Sequence, residues 1–214
     1  MFRHHWNVLS ILTAAVFVSA ALTFGCADDD DASPTGPTEP EEHEEDDDHH
    51  GPGEEELITT LEITLTPSGG GIPATWRFRD LDGPGGDAPV VDQVPVNAGT
   101  NYDGSLRVLN EAESPHENIT EEIEEEAEAH QFFFETLEGF SVATVEYADK
   151  ESDYGTNTGA DHPVGLAFTL SVPDNAQRGL LRVILSHFDD SPKDGVTRSD
   201  ETDIDVIFQV EVLR

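Results

Sequence analysis

The feature that most constrains how this chain can fold is an alternation of period two that begins at Leu57. Leu57, Thr59, Leu61, Ile63 and Leu65 fall on one face, with Ile58, Thr60, Glu62, Thr64 and Thr66 opposite, until Pro67 and Gly69-Gly70-Gly71 end the run. Successive side chains of an extended strand point to opposite faces, so the pattern predicts a strand with one buried face. The signal returns in Ala74, Trp76 and Phe78 against Thr75, Arg77 and Arg79, and more weakly in Val94 and Val96, where Pro95 removes an amide donor and predicts an edge. Further strands are expected at 102–109, 131–136, 140–147, 164–172, 180–188 and 204–213. About eight or nine short strands, divided by Gly, Pro, Asp and Asn turns and lacking any βαβ rhythm, predict a mostly β fold: an antiparallel immunoglobulin-like β-sandwich spanning 57–214.

One segment departs from this rule. Ser114-Pro115-His116-Glu117 has the order of a helix start, Asn118-Ile119-Thr120-Glu121 offers a second start, and Ile119, Ile123 and Ala127 then recur every four residues. A short acidic helix is predicted over 116–130, lying on the sandwich by that stripe. Its other faces are glutamate, and like charges a turn apart destabilise a helix.

Ahead of the strands the chain has a different character. Arg3, His4 and His5 precede an almost wholly apolar stretch from 8 to 24, then Gly25-Cys26 and four aspartates. A basic flank, an apolar region and a small residue before a cleavage point mark an export signal. With Cys26 next, the pattern resembles a bacterial lipobox and predicts a signal peptide over 1–25, lipidation of Cys26 and a membrane partner through that anchor. The alternative is an uncleaved anchor helix, for which the apolar run is short against the ~20 residues a span needs. Residues 26–56 show no hydrophobic periodicity, carry acidic runs and several prolines, and include His43, His49 and His50. So polar a stretch cannot bury enough surface to offset its ordering entropy, which predicts a disordered tether, either a self-repelling spacer or a weak collector of divalent cations. Aspartates directly after a lipidated cysteine also resemble a surface-export signal of outer-membrane lipoproteins.

Charge narrows the partners. Lys+Arg 10 against Asp+Glu 46 leaves a formal net charge of -36, which repels phosphate backbones, so nucleic acid is excluded as a partner. Cys26 is the sole cysteine, and the strand region must therefore hold together without disulfides or thiolate metal ligands.

The groups that could carry chemistry are oxygen and imidazole ligands. Asp80, Asp82 and Asp87 are spaced across a glycine-rich loop of the kind that wraps calcium, although the EF-hand pattern is missing; ordinary hairpin chemistry uses the same residues. Asp149, Glu151, Asp153 and Asp161 form a second such loop with Lys150 among them. Glu126 and His130 are four apart, and His187 closes a strand just before Asp189 and Asp190. If helix end and strand end share one rim, Glu126, His130 and His187 compose a zinc or copper site. Otherwise His130 caps the helix and His187 pairs with acid. His116 and His162 are looser candidates. Catalysis has little sequence support: neither a nucleophile elbow, nor a P-loop, nor His-Glu-x-x-His, nor a dinucleotide fingerprint is present, and Trp76, Phe78, Phe168 and Phe208 read as packing.

Asn110-Glu111-Ala112-Glu113-Ser114-Pro115, Ile119 to Glu126 and His130-Gln131-Phe132-Phe133, together with Asp80-Leu81-Asp82-Gly83, the loop from Asp149 to Gly155 and Glu201 to Val206, resemble a family of uncharacterised bacterial lipoproteins. Its members are often labelled "type 1 periplasmic binding fold superfamily". That label implies a longer two-lobed α/β protein, whereas the alternation expects strands throughout. What the resemblance implies here is an exported lipoprotein accessory to an outer-membrane uptake receptor. The expected function is accordingly a lipid-anchored envelope binding protein, requiring no cofactor for its fold and presenting or collecting a divalent metal. A non-metal module that docks a partner protein or glycan is the alternative.

Overall fold

The computed structural model describes residues 57–83, 85–112, 114–155, 161–188 and 191–214. The signal peptide, Cys26, the tether, Asp189 and Asp190 lie outside them. Among the described residues no helix is long and apolar enough to cross a membrane.

The fold is mostly β, with two sheets facing one core, as the alternation predicts. In chain order the elements are β1 (Thr60–Pro67), β2 (Ala74–Arg79), β3 (Val90–Val91), β4 (Val94–Asn97), β5 (Thr100–Leu109), α1 (Ile119–Glu125), β6 (His130–Glu138), β7 (Thr144–Tyr147), a 3-10 turn (Glu151–Asp153), β8 (Ala167–Val172), β9 (Gly179–His187) and β10 (Glu201–Leu213). One sheet has the order β3-β2-β1-β5-β8-β7 and the other β4-β10-β9-β6. Leu61, Ile63 and Leu65 of β1 are fully buried against Val183 and Leu185 of β9 and Val206 and Phe208 of β10, within a single cluster. At about 25 cal/mol per Å² of apolar surface, burial of these alternating faces is the dominant stabilising term in a domain without disulfides.

Three expectations are corrected. The sandwich is not wholly antiparallel: β4 runs parallel to β10, with Val94 opposite Val210 and Val96 opposite Val212. The chain leaves the edge of the first sheet at β3 and, after only Asp92 and Gln93, joins the edge of the second running in the direction of β10. Pro95 is tolerated there because the strand is an edge. Second, 140–147 is not one strand. Glu138 adopts a left-handed backbone (φ 58°), and the amide of Phe140 donates to Leu137 O at 3.1 Å, so the chain turns and only 144–147 is extended. Phe140 is nevertheless fully buried.

Third, the helix is shorter than 116–130. It starts from Asn118, the second of the two predicted starts, and ends at Glu125 with Glu126 as its C-cap. Glutamates crowd its solvent side and no basic residue occupies its last turn, so nothing favours further propagation. What holds it is the predicted stripe: Ile119, Ile123 and Ala127 are all buried. Thr120 adds a two-way clasp on β5, its hydroxyl accepting from the amide of Val108 at 2.8 Å and donating to Val108 O at 3.1 Å.

Candidate metal centre

Strand phase places two imidazoles on the core face. On β9, His187 is in register with buried Leu181, Val183 and Leu185; on β6, His130 is in register with buried Phe132. The strands pair antiparallel with His130 directly opposite His187, and the two rings stack with centroids 4.4 Å apart and planes at 23°. Both residues are buried. They lie where β6 begins, just beneath the turn that leaves α1.

That turn brings in the carboxylate. Glu126 and His130 are not on one helix face, as the four-residue spacing suggests, because the helix has ended and His130 is already strand. Their proximity comes from the 126–130 turn, in which the amide of Ala129 donates to Glu126 O at 2.8 Å. Half-buried Glu126 and the two histidines present ligand atoms all within 4.8 Å of one another. Neighbouring ligands on a tetrahedral ion with bonds near 2.1 Å stand about 3.4 Å apart, so closing the set needs shifts of about 1 Å or less per group. Two imidazoles and a carboxylate form a donor set suited to zinc or copper, and the site is the only such cluster among the described residues.

The alternative roles predicted for the histidines coexist with this arrangement. His130 Nδ1 lies 3.1 Å from the Glu126 carbonyl, the contact of a helix-capping histidine. His187 Nδ1 lies 3.7 Å from Asp203 Oδ1, an electrostatic contact longer than a hydrogen bond. Both contacts are made through Nδ1. Carbonyl or carboxylate partners on the second nitrogen are what orient metal-binding histidines. Asp203 reaches its place through a β-bulge: Thr202 pairs with Ser186 and Ile204 with Leu185, so Asp203 is the extra residue. Bulges re-aim side chains, and the Asp203 side chain is 2% exposed although neighbouring Asp205 faces out.

A buried ion pair floors the site. Lys193 Nζ donates to the carbonyls of Ala127 (2.7 Å) and His130 (2.8 Å) and stands 3.2 Å from Glu151 Oε1. Burial holds the Lys193 ammonium below its usual pKa, with the Glu151 carboxylate pulling the other way. The turn that carries Glu126 and His130 is thereby tied to the loop of Glu151. Asp203 and Lys193 have no sequence signal that marks them: one depends on a bulge, the other on a loop crossing under the turn.

The remaining candidates are placed elsewhere. In the first loop Asp82 Oδ2 accepts from the amide of Asp87 at 2.6 Å, an ordinary turn role, and Asp80, Asp82 and Asp87 do not gather into a ligand cluster. In the second, Asp149 is structural: its carboxylate accepts from the amides of Gly165 (2.7 Å) and Ala167 (2.8 Å) and from the Tyr154 hydroxyl (2.8 Å). Burial and that bond raise the Tyr154 pKa, keeping it a donor. Lys150 is paired with Asp161. His116 lies beside an arginine-lined cleft of the other sheet, and His162 lies against Gly195. Compared with protein-family models, curated proteins and solved structures, the chain matches none.

Proposed function

We propose that this protein is a lipid-anchored cell-envelope binding protein that captures a divalent transition metal at Glu126, His130 and His187, as an accessory to an outer-membrane uptake receptor. The observation that carries the metal reading is the cross-strand histidine pair, stacked at 4.4 Å with the Glu126 carboxylate within 4.8 Å. Two imidazoles and a carboxylate gathered this closely are a donor set that one transition-metal ion can hold together. The envelope reading rests on the lipobox-like stretch at Cys26, on the acidic segment behind it and on the resemblance to exported lipoproteins.

Calorimetric titration of the metal-free protein with zinc and with copper tests the site. His130→Ala and His187→Ala should each weaken binding by more than about a hundredfold, the upper end of what an outer-shell change costs. Asp203→Asn, acting through His187, should cost about tenfold. Binding no tighter than about millimolar, or histidine variants that bind like the parent, would remove the metal function.

A further inference from the structure

A second site stands on the outer face of the six-stranded sheet. The chain has ten Lys and Arg residues in all, and three of them, Arg77, Arg79 and Arg107, surround one cleft of about 350 Å³ there. Register explains the gathering. Glu62 of β1 is paired with Arg77 of β2 on one side and Arg107 of β5 on the other, and Arg79 follows Arg77 two residues on along the same face. Strand spacing puts their backbone anchors about 10 Å apart across the sheet and about 7 Å apart along it.

The carboxylates in this set lie deep and the guanidinium groups lie out. Glu62 and Glu111 side chains are 13% and 17% exposed, against 54%, 44% and 57% for Arg77, Arg79 and Arg107. Arg77 Nε donates to Glu62 at 2.5 Å and Arg79 Nε to Glu111 at 3.0 Å, while Arg107 Nη1 stands 3.8 Å from Glu62, beyond hydrogen-bond reach. Among the described residues the outer Nη groups of Arg77 and Arg79 and the whole fork of Arg107 make no hydrogen bond. Asp92 adds a third carboxylate behind Arg77, accepting from its amide at 2.9 Å, so the cluster is balanced in total, but its guanidinium groups are the more exposed charges and are displayed outward on a protein of net charge -36.

We propose that this cleft binds a compact oxyanion, a small molecule bearing carboxylate or phosphate, gripped by the outward guanidinium groups of Arg79 and Arg107. Guanidinium forks match planar oxyanions two bonds at a time. Size follows from the field. An extended acidic polymer meets the repulsion of the whole protein, whereas a small anion seated within a Debye length of about 8 Å of the arginines meets their local charge first. The site is on the opposite sheet from the metal centre and does not depend on it.

The test uses the full metal-free chain at low ionic strength, with succinate and inorganic phosphate as probes followed by calorimetry and by the arginine Nε–Hε NMR signals. One probe or both should bind one to one and shift the Arg79 and Arg107 signals; the stronger probe identifies the anion class. Arg107→Gln removes a side chain that makes no hydrogen bond and so leaves the fold intact. It should weaken binding by about tenfold or more, with Arg198→Gln, in the loop ahead of β10 and beside Glu135 of the other sheet, unchanged. No binding of either probe by about 10 mM, or equal losses in the two variants, would overturn the site.

Discussion

Lys193→Met puts a number on what holds the metal centre together. The substitution removes an ammonium whose side chain is 3% exposed, its bonds to Ala127 O and His130 O, and its pairing with Glu151, 2% exposed. Charged hydrogen bonds contribute about 1.5–3 kcal/mol each but do not add, and breaking a buried ion pair from one side costs about 3–5 kcal/mol, so the expected loss is about 4 kcal/mol. For a domain of this size each kcal/mol moves Tm by about 2–4 °C, giving a fall of about 8–16 °C. Urea unfolding followed by tryptophan fluorescence should show a lower midpoint with an unchanged slope. Adding Glu151→Leu, which removes the stranded carboxylate, should recover most of the stability, because replacing a buried pair by apolar residues is close to neutral. Metal affinity should stay weakened in the double variant, since the turn bearing Glu126 and His130 has lost its tie. A single variant costing less than about 1 kcal/mol, or a double variant no more stable than the single, would refute the claim that this pair anchors the turn.

Other outcomes follow from individual contacts. Gly104→Ala would set a Cβ 2.4 Å from the Phe168 ring, which packs across Gly104 in register; displacing that buried ring should cost about 2 kcal/mol by thermal melt, with Phe134, 4.6 Å from the same ring, also disturbed. Glu111 accepts from the Thr60 hydroxyl and from Arg79, and these bonds, the Thr60 bond first, hold its carboxyl below the ordinary value of 4.5. A depressed carboxyl stabilises the fold above the unfolded value and loses that contribution as pH falls through the folded one. Glu111→Gln should therefore be less stable by about 1 kcal/mol at neutral pH, the difference shrinking to nothing in melts taken progressively below pH 4.5. For the anchor, mass spectrometry of the N-terminal fragment after bacterial expression should find acyl chains on Cys26, and a free thiol there would remove the lipid-anchored part of the proposed function.

The strands and their inward faces were legible in the sequence because burial of one face imposes a period of two. The last strand shows it best: Ile204, Val206, Phe208 and Val210 are buried in turn along β10. The stripe of Ile119, Ile123 and Ala127 predicted which side of the helix docks, whereas His130 read as the end of that helix and only the structure puts it on β6 in phase with Phe132. What only the tertiary structure decided is register between distant segments. It sets His130 opposite His187 across 57 positions of chain, an alignment that periodicity leaves undetermined because any even slip keeps the same faces buried. The bulge that swings Asp203 toward His187, the crossing that slides Lys193 under the turn, and the parallel edge at β4 have the same origin. Each depends on where separate strands come to rest against one another, and no local pattern records that.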